Sequence, residues 1–136
     1  MTIRKSAHAT YDLKYHFVWV PKYRKRVLDD YRGKYLKYLL GRIGQEYGFV
    51  IVEVAVAEDH VHLFMEVPPR YSPADVMGIV KSITGREMFK RFSGLRRWLW
   101  AGELWADGYY VSSVGDAITE ETVKRYIQSH RDETMG

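Results

Sequence analysis

The hydrophobic and polar positions along this chain divide it into six main elements and a closing helix. Tyr15 to Val20 (YHFVWV) concentrates aromatic and β-branched residues and stops at Pro21, which lacks the N–H a sheet ladder needs. This run predicts a strand followed by a basic loop, Pro21 to Arg26. From Asp30 to Tyr47 the residues Tyr31, Tyr35, Leu36, Leu39, Leu40 and Ile43 recur at helical spacing, and Gly48 supplies the stop. Phe49 to Ala57 (FVIVEVAVA) then alternates, and strict alternation predicts a strand with Val50, Val52, Val54 and Val56 on one face. Glu58 and Asp59 form a tight connection to another strand, Val61 to Val67, ended by Pro68 and Pro69.

Ser72-Pro73-Ala74-Asp75 marks a helix start, with Ser as N-cap, Pro at the first helical position and an acid near the positive end. That helix is predicted to run to about Phe92, with Val76, Ile79, Val80, Ile83, Met88 and Phe92 as its apolar stripe. A loop carrying Arg96, Arg97, Trp98 and Trp100 follows, then a strand from Tyr109 to Val114. Gly115-Asp116 breaks the chain before a last helix, about 119–131, in which Thr119 caps and Ile118 can pack on Val123. The order β-α-β-β-α-β plus a final helix predicts an α+β, ferredoxin-like (RRM-like) fold: one antiparallel sheet with two helices on one face. Many nucleic-acid-binding modules and small enzymes share that frame, so function must come from side chains.

Length bounds the architecture. With 136 residues, one domain spanning 1–136 is expected. No run approaches the ~20 apolar residues that span a bilayer, and Met1 to Lys14 lacks the apolar segment of a secretory signal, so no membrane partner and a soluble, cytoplasmic protein are expected. The chain has no cysteine, which excludes disulfides, thiolate metal sites and cysteine nucleophiles. Any catalysis must use imidazoles, carboxylates, hydroxyls, or a metal on N and O ligands. The net charge of +4 hides a block pattern. Residues 1–47 carry 11 Lys+Arg against 4 Asp+Glu, 48–80 carry 1 against 5, 81–100 carry 6 against 1, and 101–136 carry 3 against 7. Two basic blocks, with 11 Tyr, 5 Phe and 4 Trp in the chain, suit a polyanion that can also stack.

The acidic blocks hold the candidate chemistry. His60-Val61-His62 lies at the start of a strand, where residues i and i+2 project to the same face, so two imidazoles point together and are preshaped for a cation. By itself a His-x-His strand is a weak signal, more often a structural or incidental pair than a metal site. Near the C-terminus, Tyr126 and His130 are four residues apart on the predicted last helix, which sets a phenol and an imidazole on one face. Tyr126 also fits a core position beside Val123 and Ile127.

Taken together, these stretches resemble the small single-tyrosine HUH transposases of insertion sequences, TnpA-like, including the repetitive-element-associated relatives. HUH denotes His, a bulky hydrophobe, His, here within EDHVHLFMEVPP. YHFVWVPKYRKRVL, VKSITGREM, the Leu104-Trp105 pair followed by YYVSSVG, and VKRYIQSH also match in order, from about Tyr15 to His130. The resemblance implies that Tyr126 attacks a phosphodiester of single-stranded DNA bearing hairpin ends, leaving a 5′-phosphotyrosine and a free 3′-OH. It implies a divalent metal, Mg²⁺ or Mn²⁺, on His60, His62 and the residue four after the tyrosine. That last ligand is often Gln in the family and is His130 here, and a three-imidazole set leans toward Mn²⁺, Co²⁺ or Zn²⁺. It further implies a homodimer in which the tyrosine helix is exchanged between subunits, and an association with the nucleoid during DNA processing.

Lys22, Tyr23, Arg24, Lys25 and Arg26 in the first loop, with Lys81, Arg86, Lys90 and Arg91 on the second helix, are candidate DNA contacts, cations for phosphates and the tyrosine for a base. Three other readings remain: a replication or conjugation nickase using the same chemistry, a non-catalytic single-stranded nucleic-acid-binding module of the same fold, and a domesticated hairpin binder. His16, in the first strand, reads as structural, with a DNA contact as its alternative.

Overall fold

The computed structural model describes residues 4–5, 10–99 and 102–113. The helix predicted for 119–131, with Tyr126 and His130, lies outside the described residues. Along the chain come β1 (Arg4–Lys5), β2 (Thr10–Tyr11), β3 (Lys14–Trp19), α1 (Asp30–Tyr47), β4 (Val50–Ala57), β5 (His60–Glu66), α2 (Pro73–Arg91), α3 (Leu95–Leu99) and β6 (Tyr110–Ser113). The four long strands form one antiparallel sheet in the order β4-β5-β3-β6, which is the ferredoxin-like arrangement expected. Strand β3, read as the first strand, becomes a central one because the crossover helices leave β5 and β6 to pair on its two sides.

Local codes explain the helix limits. The Asp29 carboxylate accepts from the Arg32 N–H at 2.9 Å and caps α1, while Gly48 closes it in the left-handed region at φ 77. Ser72 and Asp75 form a reciprocal capping box at the start of α2, each side chain accepting from the other's N–H at 3.0 Å. Where α1 turns into β4, Gly44 is required for close approach: a Cβ there would sit 2.8 Å from the Phe49 carbonyl oxygen.

Three details depart from the sequence expectation. Strict alternation in β4 fails because the register shifts between Ile51 and Glu53, a bulge that leaves Val52 half exposed and turns Ile51, Val54 and Val56 toward the core. Val50 and Val52 therefore do not share a face with Val54 and Val56. The segment expected as a loop after α2 folds into the short helix α3, pinned by buried Leu95 and Leu99. A two-residue hairpin, β1 with β2, precedes the main sheet, too short to leave a periodic signal.

The core lies on one side of the sheet. Phe17, Trp19, Val61, Leu63 and Met65 point to it from the two central strands and meet Leu36, Leu40 and Ile43 of α1 and Val76, Val80 and Met88 of α2. Segment 102–109 straps this layer to the loop after β3: Lys22 N–H donates to the Leu104 carbonyl at 2.8 Å, and Ala106 N–H to the Val20 carbonyl at 3.0 Å. Thr84 anchors the strap from fully inside α2. Its hydroxyl donates to the Val80 carbonyl at 2.6 Å and accepts from the Trp105 indole N–H at 2.9 Å. Thr84→Val keeps the shape but strands that indole N–H, and should lower stability by about 1–3 kcal/mol. The check is a lower denaturant midpoint at unchanged slope; an unaltered midpoint would deny the bond its structural role.

Candidate active site

The pleat of β5 sends Val61, fully buried, into the core and leaves His60 and His62 together on the opposite face of the sheet, away from α1 and α2. Their neighbours on β4 are small: Ala57 pairs with His60 and Ala55 with His62. Alanines there leave space beside both rings. The ring centroids stand 5.1 Å apart with planes at 70°, so the two imidazoles are close and not stacked.

Electrostatics favour the neutral form of His62. Burial lowers its pKa below the usual imidazole value, and the nearby His60 and His16 lower it further, against an opposing pull from Glu53. A neutral imidazole is the form that binds a metal. His60 has a different environment, with Asp59 Oδ1 at 2.9 Å from its Nδ1. His16 also lies on this face, directly across from Phe64, and the two rings stack at 4.3 Å between centroids and 17° between planes. Burial lowers the pKa of His16 as well, opposed by Glu53. Its Nδ1 is buried with no hydrogen-bond partner among the described residues.

Among the described residues no group of three or more His, Cys, Asp or Glu is arranged to hold a metal. Two imidazoles on one face supply part of a donor set, and they fit a cation that accepts nitrogen ligands. His130, assigned to the same ion from the resemblance, lies outside the described residues, as does Tyr126.

The candidate DNA contacts separate into two groups. The loop of Lys22, Tyr23, Arg24, Lys25 and Arg26 reaches the His60 end of the sheet: Arg24 Nε is 3.2 Å from Asp59 Oδ2, and Arg26 approaches Glu58 at 3.8 Å. Tyr23 is exposed, Lys25 is exposed, and Lys22 pairs with Glu103 at 2.7 Å, a bond that raises its pKa. Lys81, Arg86, Lys90 and Arg91 lie instead in the helical layer, across the sheet from the histidines. Lys81 is a clasp: its half-buried ammonium donates to the carbonyls of Ala106 at 2.8 Å and Gly108 at 2.6 Å, and burial lowers its pKa. Arg86 and Lys90 share Glu87, at 3.6 and 3.3 Å, and Arg91 donates to the Tyr31 hydroxyl at 2.9 Å while covering the Tyr31, Tyr35 and Phe92 rings. A groove of about 660 Å³ between α1 and α2 carries Arg42, Arg86 and Lys90, but also Glu46 and Glu87, so its charge is mixed. By sequence Asp59 stands out only as part of the tight connection between two strands. Its signal was position, an acid immediately before a strand-opening histidine.

The profile of the family described as "Transposase IS200 like" matches residues 9–130. The chain belongs to the IS200-like transposase family. It is 31% identical over 132 residues to the ISDra2 transposase TnpA of Deinococcus radiodurans, covering 97% of this chain and 94% of that protein. It is 28% identical to the transposase of insertion sequence element IS200 of Salmonella typhimurium, over 93% of this chain and 82% of the relative. A solved crystal structure of a Deinococcus radiodurans protein superposes with a TM-score of 0.78 at 31% identity, covering 96% of this chain and 97% of that one. The resemblance to insertion-sequence transposases is thereby borne out, and so is the fold. In this IS200-like transposase, no helix among the described residues is long and apolar enough to cross a membrane.

Proposed function

We propose that this IS200-like transposase cuts and rejoins single-stranded DNA at hairpin-bearing element ends through a tyrosine-linked intermediate. The observation that carries the reading is the pair His60 and His62 on the sheet face away from α1 and α2, in a chain whose family match extends through Tyr126 to residue 130. The Tyr126 hydroxyl oxygen attacks the phosphorus, its proton passes to a base or to water, the bond from phosphorus to the 3′ oxygen breaks, and the 3′-OH departs with a proton. The 5′-phosphate stays on the phenol. One phosphoester replaces another, so a different 3′-OH can reverse the step and rejoin strands without an energy source.

A phenol of pKa near ~10 is mostly protonated at neutral pH, and charge accumulates on the phosphate as it is attacked. His60, His62 and His130 would hold a divalent cation, Mg²⁺ or Mn²⁺, which as a Lewis acid neutralises that charge. Three imidazoles favour Mn²⁺ over Mg²⁺ in such a site. The His pair lies on the sheet face away from α1 and α2, and the loop that reaches its His60 end carries the exposed Tyr23 ring and the exposed Lys25 and Arg26 cations for the strand. The reading includes a homodimer with the tyrosine helix exchanged, supported by the family resemblance alone.

The direct test is a denaturing gel of protein mixed with hairpin-bearing single-stranded DNA and Mn²⁺ or Mg²⁺. A protein–DNA adduct that survives denaturation is expected; hairpin binding without an adduct would favour a non-catalytic module. Binding itself should weaken as a power of salt concentration, with the joint Lys25→Ala, Arg26→Ala variant lowering the slope by roughly 1–2 if both cations contact phosphate. An unchanged slope would remove them from the interface.

A further inference from the structure

We propose that Asp59 and Arg24 form a positioning chain that sets the ring and the tautomer of His60, presenting Nε2 to the cation. This rests on the metal reading of the His pair. The Asp59 carboxylate is held from two sides, with Oδ1 2.9 Å from His60 Nδ1 and Oδ2 3.2 Å from Arg24 Nε. An ionised carboxylate only accepts, so the contact requires the proton on Nδ1, and a neutral ring protonated there carries its lone pair on Nε2. In water the neutral ring favours the other tautomer. The three side chains are only 16–23% exposed, so little water competes for these bonds.

The backbone supports the assignment. Arg24 reaches Asp59 from a turn in which Tyr23 and Arg24 both adopt left-handed conformations, φ 59 and 50, unfavourable for residues with a Cβ. The turn is over-determined: Arg24 N–H donates to the Pro21 carbonyl at 2.8 Å, Lys25 N–H to the Lys22 carbonyl at 3.3 Å, and Lys22 N–H to Leu104. Such pairs persist where the surrounding fold insists on them, and they cluster at functional sites. On the other side, Leu28 N–H donates to the Glu58 carbonyl at 3.1 Å, tying the loop to the β4–β5 connection that carries Asp59. Carboxylate partners of this kind orient metal-binding imidazoles and raise their basicity. Arg24, counted above as a phosphate contact, is on this geometry a residue that acts through Asp59.

The test uses the full-length protein without metal, labelled with ¹⁵N, and reads the His60 tautomer from long-range proton–nitrogen correlations at a pH where the ring is neutral. Wild type is expected to carry the proton on Nδ1. Asp59→Ala should move it to Nε2, whereas Asp59→Asn, which keeps an acceptor oxygen, should retain it. Calorimetry with Mn²⁺ alone should show affinity lowered about 10–100-fold in Asp59→Ala. Arg24→Ala should also weaken Mn²⁺ binding yet leave the salt slope of hairpin binding unchanged; a slope reduced by about 0.7–0.9 would make Arg24 a phosphate contact and remove it from the chain. An unaltered tautomer or unaltered Mn²⁺ affinity in Asp59→Ala, with wild type binding the ion, overturns this inference alone. Failure of the wild type to bind Mn²⁺ overturns the metal reading, and the proposed role of the chain with it.

Discussion

Tyr126→Phe is expected to abolish the covalent protein–DNA adduct while leaving hairpin binding intact. The substitution removes one oxygen and keeps the ring, so packing on the predicted last helix changes little. What disappears is the only phenol that the family resemblance assigns to attack on phosphorus. Losing a nucleophile typically acts on the scale of about 10⁴-fold or more, which puts adduct formation below detection on a gel. The chain has 11 tyrosines, and several lie on exposed surfaces, among them Tyr23, Tyr31 and Tyr38. A persistent adduct in Tyr126→Phe would therefore transfer the nucleophile to another of these. Tyr23, beside the His60 end of the sheet, would be the first to replace by Phe.

Replacing the imidazoles tests the other half of the site. His60→Ala and His62→Ala should each reduce cleavage by at least about 10²–10³-fold, the scale on which removal of one electrostatic stabiliser of a transition state acts. Mn²⁺ affinity should fall in parallel, and hairpin binding should stay within about 2-fold if the bases and phosphates are held mainly by other residues. Neither ring is in the apolar core, since both lie on the face away from α1 and α2, so thermal stability should hardly move. Cleavage that survives in either variant would show the pair to be incidental. His130→Gln should preserve Mn²⁺ binding and His130→Ala should weaken it. The Tyr126→Phe and His60→Ala proteins also complement each other if the tyrosine helix is exchanged: mixed, the two inactive proteins should regain part of the activity, and no recovery would place both halves of each site in one subunit.

The parts of this architecture written in local code were legible. Gly48, the Ser72–Asp75 box and the proline at the start of α2 specify helix limits through backbone chemistry within a few residues. The His60-Val61-His62 pair was equally readable, because the pleat fixes which face each side chain takes once the strand is recognised. What escaped depends on partners distant in sequence. The β4 bulge arises from pairing with β5, which shifts register at Val52 to keep Ile51, Val54 and Val56 on the core. Lys81 reads by sequence as a candidate phosphate contact, yet its ammonium meets carbonyls at Ala106 and Gly108 that only the folded strap supplies. Arg24 looked like one more basic residue in a basic loop, and only the left-handed turn reveals that its guanidinium faces Asp59. The roles of Tyr126 and His130 rest on the family resemblance, and their shared face on four-residue spacing.

The central claim is that a phenol of this chain becomes esterified to DNA. Mass spectrometry of the proteolysed adduct, after the bound DNA is trimmed by nuclease, locates the link most directly. The expected result is a peptide spanning Val123 to His130 whose mass is raised by a 5′-phosphorylated nucleotide on Tyr126. Cleaved DNA ending in a free 5′-phosphate, with every peptide at its unmodified mass, would mean that water does the cutting and would contradict the account.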